Sequence, residues 1–208
     1  MEKEIRMFTE PLEARNDEQH GNVIEGVPIV FDKETDLGFY REVIDPRALD
    51  QADLKDVRLL VNHDTNQLPL ARSRNNNENS TMQMVVMEDG LHIRADLDVE
   101  NNPRAAEVLS VVKRGDATGM SFAFTVDKDE WSDLETEMPL RRITGIRKVF
   151  EASVVTYPAY EDTEVYARSL EGVKRTLESE REALESAKKL AALKKAIAER
   201  SEKLCAKK

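Results

Sequence analysis

Cysteine is almost absent from this 208-residue sequence, which contains only Cys205. A single cysteine cannot form a disulfide within the chain, so we expect a fold that needs none, in a reducing compartment. Cys205 also lies in a lysine-rich segment, away from any body that could supply an oxyanion site. A cysteine-peptidase centre is therefore not expected.

Histidine is also scarce, with His20, His63 and His92 as the only three. No His-x-x-x-His, Cys-x-x-Cys or Asp-x-Asp-x-Asp spacing occurs, and these are the patterns that zinc and calcium sites commonly use. We therefore expect no metal site.

Long apolar runs are missing too. No segment approaches the roughly 20 apolar residues that a membrane-spanning helix needs, and the first residues are charged rather than basic and then apolar. We expect no membrane association and no secretory signal.

Acidic residues outnumber basic ones, 41 to 31, but unevenly along the chain. From Ser169 onward there are 11 Lys and Arg against 7 Glu, which leaves a surplus of 14 negative charges on residues 1–168. Phosphate contacts supply most nonspecific affinity for nucleic acid, so this body should not bind it.

The body has the pattern of many short strands and few helices. Apolar alternation and turn signals predict strands near residues 22–31, 57–62, 81–87, 91–99, 119–126 and 142–158. Asn102-Pro103 begins a predicted helix that ends at Gly115, and Asp45-Pro46 indicates a second, short helix. These elements predict an α+β fold with a β-rich, barrel-like body.

The composition changes at Ser169 to Ala, Glu, Lys, Leu and Arg. We therefore divide the chain into a body, residues 1–168, and a charged helical tail, residues 169–208. Val173, Leu177 and Leu184 begin an apolar stripe that Leu190 and Ile197 continue on a rotated face. The tail is a candidate coiled coil, through which the chain could self-associate.

Three side chains in the body are candidates for chemistry. His63 follows an apolar strand, and Glu151 is the one carboxylate in an apolar strand. Ser121 lies among small residues on one face of a strand, which should leave open space for a substrate carbonyl above its hydroxyl. Taken singly, each has a structural explanation: a packed histidine, a surface serine and a carboxylate paired with Arg141, Arg142 or Arg147. The serine also lacks the Gly-x-Ser-x-Gly elbow of the α/β-hydrolases.

Several stretches, in this order, resemble the tailed-phage prohead protease family, whose fold is related to that of herpesvirus assemblin. The stretches are Leu59 to Asp64, Leu68 to Leu70, Asp89 to Leu91, Gly115 to Phe124 and Phe150 to Ala159. The resemblance implies a serine endopeptidase with Ser121 as nucleophile and His63 as base. Glu151 would be the third member, in place of assemblin's second histidine, with Asp64 the next candidate.

The family resemblance also implies substrates and a place of action. The substrates would be the phage major capsid protein, its scaffold segment and the protease itself, cleaved inside the immature prohead in the host bacterial cytoplasm. The implied mechanism needs no cofactor. The alternative is a non-enzymatic scaffold or assembly protein with a coiled-coil tail, although a scaffold has no need of a β-rich body.

Overall fold

The computed structural model describes residues 3–8, 12–17, 21–156 and 164–205, which form eleven strands and two helices. In chain order these are β1 Glu4–Phe8, β2 Glu13–Asp17, β3 Gly21–Val30, β4 Thr35–Asp36, β5 Arg41–Ile44, β6 Val57–Val61, β7 Ala71–Ser73, β8 Met82–Val86, β9 Gly90–Asp96, α1 Pro103–Arg114, β10 Gly119–Ser132, β11 Leu140–Val155 and α2 Glu164–Cys205. The predicted α+β class and the long C-terminal helix are confirmed. The described strands form two sheets rather than a closed barrel.

The larger sheet is organised around β11, a strand of 16 residues. Its partner along one side is β10, which in turn pairs with β1, so that the order is β1-β10-β11. On its other side β11 pairs in parallel first with β5 and then, near its end, with β6. Distant parts of the sequence therefore meet at the end of β11.

The second sheet has the order β2-β3-β9-β8 and is antiparallel throughout. Where β3 crosses β10, Gly26 allows the close approach, because an added Cβ would lie 2.6 Å from the sulfur of Met120. The core lies between the sheets and includes Ile24, Met82, Leu91, Phe122 and Phe124.

The helix α1 begins and ends as predicted. The side chain of Asn102 accepts hydrogen bonds from the main-chain N–H groups of Arg104 and Ala105, and Pro103 is the first helical residue. Gly115 ends the helix at a φ of 76°, in the left-handed region that suits glycine. Its buried face carries Ala105, Val108, Leu109 and Val112.

The short helix expected after Asp45 does not form. The Asp45 side chain does accept from the Arg47 N–H, but the next hydrogen bonds join residues three apart, from Ala48 to Asp45 and from Asp50 to Arg47. These bonds close successive turns over residues 46–51 in place of a helix.

The tail packs on the body at its beginning. α2 begins at Glu164, and Val173 and Leu177 are buried. The proposed boundary at residue 168 thus falls inside this helix, and the division into two domains stays a prediction. Within the described residues, no helix has the length and apolarity needed to cross a membrane.

Candidate active site

His63 lies just beyond β6 in an uncommon backbone conformation. Asn62 has a φ of 50° and His63 a φ of 58°, and such left-handed geometry costs non-glycine residues about 1–3 kcal/mol each. Two hydrogen bonds between Asn62 and Thr156 offset part of this cost. Its Nδ2 donates to Thr156 Oγ1 at 2.9 Å, and its Oδ1 accepts from the Thr156 N–H at 3.1 Å. The turn is thereby attached to the end of β11.

The imidazole of His63 contacts the carboxylate of Glu151. Nδ1 lies 2.6 Å from Oε1, and the two side chains are 17% and 5% exposed. In the neutral imidazole whose Nδ1 donates its proton to this carboxylate, Nε2 is the acceptor nitrogen. Nε2 is buried, and no described residue forms a hydrogen bond with it. This orientation is the one that a histidine base requires.

Ser153 joins the carboxylate to the histidine turn. Its hydroxyl donates to Glu151 Oε2 at 2.6 Å and accepts from the His63 main-chain N–H at 3.2 Å. Sequence reasoning missed this role. The signal was present, however, because Glu-x-Ser in a strand puts both side chains on one face.

Ser121 lies on the neighbouring strand, directly opposite Ser153 in the register of β10 with β11. Opposite residues of an antiparallel pair have their side chains on the same face, with Cβ atoms about 4.5–5.5 Å apart. Ser121 therefore shares a face with Glu151 and Ser153. Its hydroxyl, however, donates to the Arg6 carbonyl at 2.7 Å rather than to His63.

The open space that the sequence suggested above Ser121 is not found. Ser121 is fully buried, as are Met120 and Phe122 on either side of it. The unpredicted strand β1 pairs along β10, with Met7 opposite Ser121, so that the serine lies between two strands. The structure thus brings His63 and Glu151 into contact and leaves Ser121 on an adjacent strand, closed off from solvent.

A buried ion cluster anchors β1 beside this site. Arg6 donates to Glu4 at 2.6 Å and to Glu42 at 2.5 Å, and Arg141 donates to Glu4 at 2.8 Å and to Glu42 at 3.1 Å. Arg141 also donates to Asp129, and the Tyr40 hydroxyl accepts from Arg6.

Burial alone would raise the pKa of Glu4, but the charges of Arg6 and Arg141 and their hydrogen bonds lower it overall. Burial raises the pKa of Tyr40, so the phenol stays protonated. The three arginines weighed as partners of Glu151 are used elsewhere, because Arg142 pairs with Asp32 and Arg147 with Asp127.

The other sequence candidates lie apart from this site. His92 Nε2 donates to Asp89 Oδ1 at 2.7 Å on an exposed surface, and Asp64 accepts from the Asn66 N–H within its own turn. His20 and residues 157–159 lie outside the described residues. In the part of the chain that the structure describes, no group of three or more His, Cys, Asp or Glu could hold a metal ion.

The fold and this cluster define an α+β protein with a partly buried histidine–carboxylate pair, an arrangement that serine hydrolases use. Residues 10–176 match the sequence profile of the caudovirus prohead serine proteases, and the chain belongs to that family.

Two individual proteins are similar to the chain. The prohead protease of Enterobacteria phage HK97 is 28% identical over 155 residues, which are 73% of this chain and 62% of that protein. The chain therefore spans less than two thirds of the length of this relative. The solved structure of the bacteriophage T4 capsid assembly protease is 11% identical, with a TM-score of 0.41, over 74% of this chain and 99% of that one.

Proposed function

We propose that this chain is a serine endopeptidase in which Ser121 is the nucleophile, His63 the base and Glu151 the group that orients the base. The observation that carries the proposal is the 2.6 Å contact between His63 Nδ1 and Glu151 Oε1. It leaves Nε2 as an acceptor without a partner among the described residues.

Catalysis begins with a rotation of the Ser121 side chain. Turning about χ1 breaks the bond to the Arg6 carbonyl and costs about 1–3 kcal/mol, because a buried carbonyl loses its donor. The hydroxyl then gives its proton to His63 Nε2 as Oγ attacks the peptide carbonyl carbon. Glu151 stabilises the imidazolium that forms, and main-chain N–H groups stabilise the oxyanion.

The second half of the reaction reverses these roles. The imidazolium of His63 donates its proton to the leaving amine, and the acyl group remains on Ser121. A water molecule then gives a proton to His63 and attacks the ester, which releases the new carboxylate and restores the serine hydroxyl. The reaction consumes only the peptide and one water molecule, and Ser121 and His63 return to their starting states.

The substrates follow from the family. We propose that the chain cleaves the phage major capsid protein and its scaffold segment, and itself, within the immature prohead in the bacterial cytoplasm. A lack of nucleic-acid binding by the acidic body belongs to the same proposal. Self-association through α2 is an alternative use of the tail, and sedimentation velocity of the chain alone tests it. The name of the phage HK97 relative, a prohead protease, supports it.

One observation favours the alternative of a non-enzymatic assembly protein. Ser121 is closed off from solvent and bonded to Arg6, as a purely structural serine would be. Co-expression with the capsid protein of the same phage separates the two. Capsid cleavage that disappears in Ser121→Ala but persists in Ser132→Ala, a serine at the far end of β10, supports the peptidase. Intact capsid protein with the unaltered chain supports the assembly role.

A further inference from the structure

The two halves of α2 differ in how far they are packed against the body. In its first half Val173 and Leu177 are buried, and Arg181 donates to the main-chain carbonyls of Leu134 at 3.0 Å and Thr136 at 2.9 Å. Lys188 forms an ion pair with Glu135. Every residue from 185 to 199 is nevertheless exposed. The second half therefore projects from the body.

The projecting half carries an apolar stripe of its own. Leu190, Leu193 and Ile197 are 53%, 58% and 57% exposed. At 100° per residue they fall within about 60° of one another, and their centre lies about 150° from that of Val173 and Leu177. The body that covers the first stripe therefore cannot cover the second, because the helix presents it in nearly the opposite direction.

The spacing of this stripe is that of a coiled-coil seam. With Leu190 and Ile197 at heptad position a, Leu193 occupies d, and the flanking positions g and e are Lys189 and Lys194. Residues 188–208 together contain eight Lys and Arg against two Glu. Two copies of this helix would oppose lysine to lysine in both parallel and antiparallel pairing, which is unfavourable.

We propose that the projecting half of α2, residues 185–199, is a docking helix for an amphipathic helix of a different protein, one with leucine or isoleucine in its seam and glutamate at the flanking positions. Such a partner buries the exposed stripe and pairs its carboxylates with Lys189 and Lys194. The lysines then select the partner, and the apolar stripe supplies most of the affinity.

The test uses the full chain with Ser121→Ala, so that self-cleavage cannot remove the helix, and two synthetic four-heptad peptides. Both peptides have leucine at a and d, and they differ only in glutamate or lysine at e and g. Titration calorimetry should show binding of the glutamate peptide, at least about tenfold tighter than that of the lysine peptide. Raising the salt concentration should reduce this difference.

Matched variants locate the site. Leu193→Asn and Ile197→Asn should each weaken binding of the glutamate peptide about tenfold or more, and adding Lys189→Glu to Lys194→Glu should reverse the preference between the two peptides. Lys194→Glu alone should weaken binding of the glutamate peptide about fivefold or more. Lys195→Glu is the control for Lys194→Glu, because it makes the same charge change nearly opposite the stripe, about 170° away. It should change the affinity less than about threefold, and circular dichroism should show equal helix content in all variants.

Three results would overturn the proposal. The first is no binding of the glutamate peptide at several hundred micromolar, and the second is an equal loss of binding in Lys195→Glu and Lys194→Glu. The third is a dimer of the chain alone, by sedimentation velocity, that Ile197→Asn dissociates, since the stripe would then bind a second copy. None of these readouts depends on peptidase activity.

Discussion

The Ser121 hydroxyl donates a 2.7 Å hydrogen bond to the Arg6 carbonyl, across the pairing of β10 with β1. The acceptor belongs to the main chain, so no side-chain substitution removes it. The proton that a nucleophilic serine must give to its base is directed here towards β1 instead. The proposed reaction therefore begins with a rotation of this hydroxyl. Because the rotated hydroxyl then gives its proton to His63, the effects of substituting Ser121 and His63 on turnover must be measured together.

Ser121→Ala and His63→Ala should each lower turnover about 10³-fold or more, because each removes one end of the same proton transfer. The double variant should lose little beyond either single variant. Steady-state cleavage of a capsid-derived peptide gives the three rates, and a thermal melt checks that the variants are folded. Losses that multiply in the double variant would show that the two residues do not act as one unit.

Glu151→Gln should reduce kcat by about 10²-fold or more and change KM little, because the imidazolium loses its charged partner only as it forms. Asp64→Asn is the matched control. Asp64 lies next to His63 in sequence, but its carboxylate accepts from the Asn66 N–H in its own turn. If Asp64→Asn impaired kcat and Glu151→Gln did not, Asp64 would take the role of Glu151.

Ser153→Ala removes the hydroxyl that links Glu151 Oε2 with the His63 N–H. We expect kcat to fall about tenfold, since Glu151 and the left-handed turn at His63 are held less firmly. A serine-directed fluorophosphonate followed by peptide mass mapping should modify Ser121 in both the unaltered chain and Ser153→Ala. Modification of Ser153 would instead make that residue the nucleophile.

The sequence allowed prediction of the elements with strong local signals. Asn102, Pro103 and Gly115 marked the limits of α1, and the alternation from Leu91 onward indicated β9. The contact of His63 with Glu151 could not be derived locally, because it depends on the parallel pairing of β6 with β11 across almost 90 residues. The family resemblance singled out both residues but not their geometry.

The strand β1 escaped sequence analysis for a different physical reason. Glu4 and Arg6 are buried in it, at positions where a strand pattern calls for apolar residues. Their partners Glu42 and Arg141 come from β5 and β11, so the compensation is visible only in three dimensions. The same omission led to the expectation of open space at Ser121.

The lowered pKa of Glu4 makes the anchoring of β1 sensitive to acid. A carboxyl group whose pKa is lower in the folded state stabilises the protein above its ordinary pKa of 4.5, and this contribution is lost as the pH falls through the folded value. Glu4→Gln should lower the free energy of unfolding at pH 7 by about 1–3 kcal/mol and flatten its decline below pH 4.5. Urea denaturation at several pH values measures both effects.

Glu34→Gln provides the comparison for Glu4→Gln. Glu34 is half exposed and pairs with Arg41 at the surface, so its replacement should change the free energy of unfolding by at most about 1 kcal/mol. If the two substitutions lowered the free energy of unfolding equally, burial of the ion cluster would not determine how much it stabilises the protein.

Two truncations of α2 test how much of the helix belongs to the body. Removal of residues 188–208 deletes only the ion pair of Lys188 with Glu135 from the described contacts with the body, so the melting temperature should change by less than about 2 °C.

Truncation after Arg168 also removes the buried Val173 and Leu177, each worth about 1.5–3 kcal/mol. We expect this shorter chain to melt at least about 5 °C lower, as measured by calorimetry. If it instead kept the full melting temperature, all of residues 169–208 would form a separable tail, as their composition first suggested.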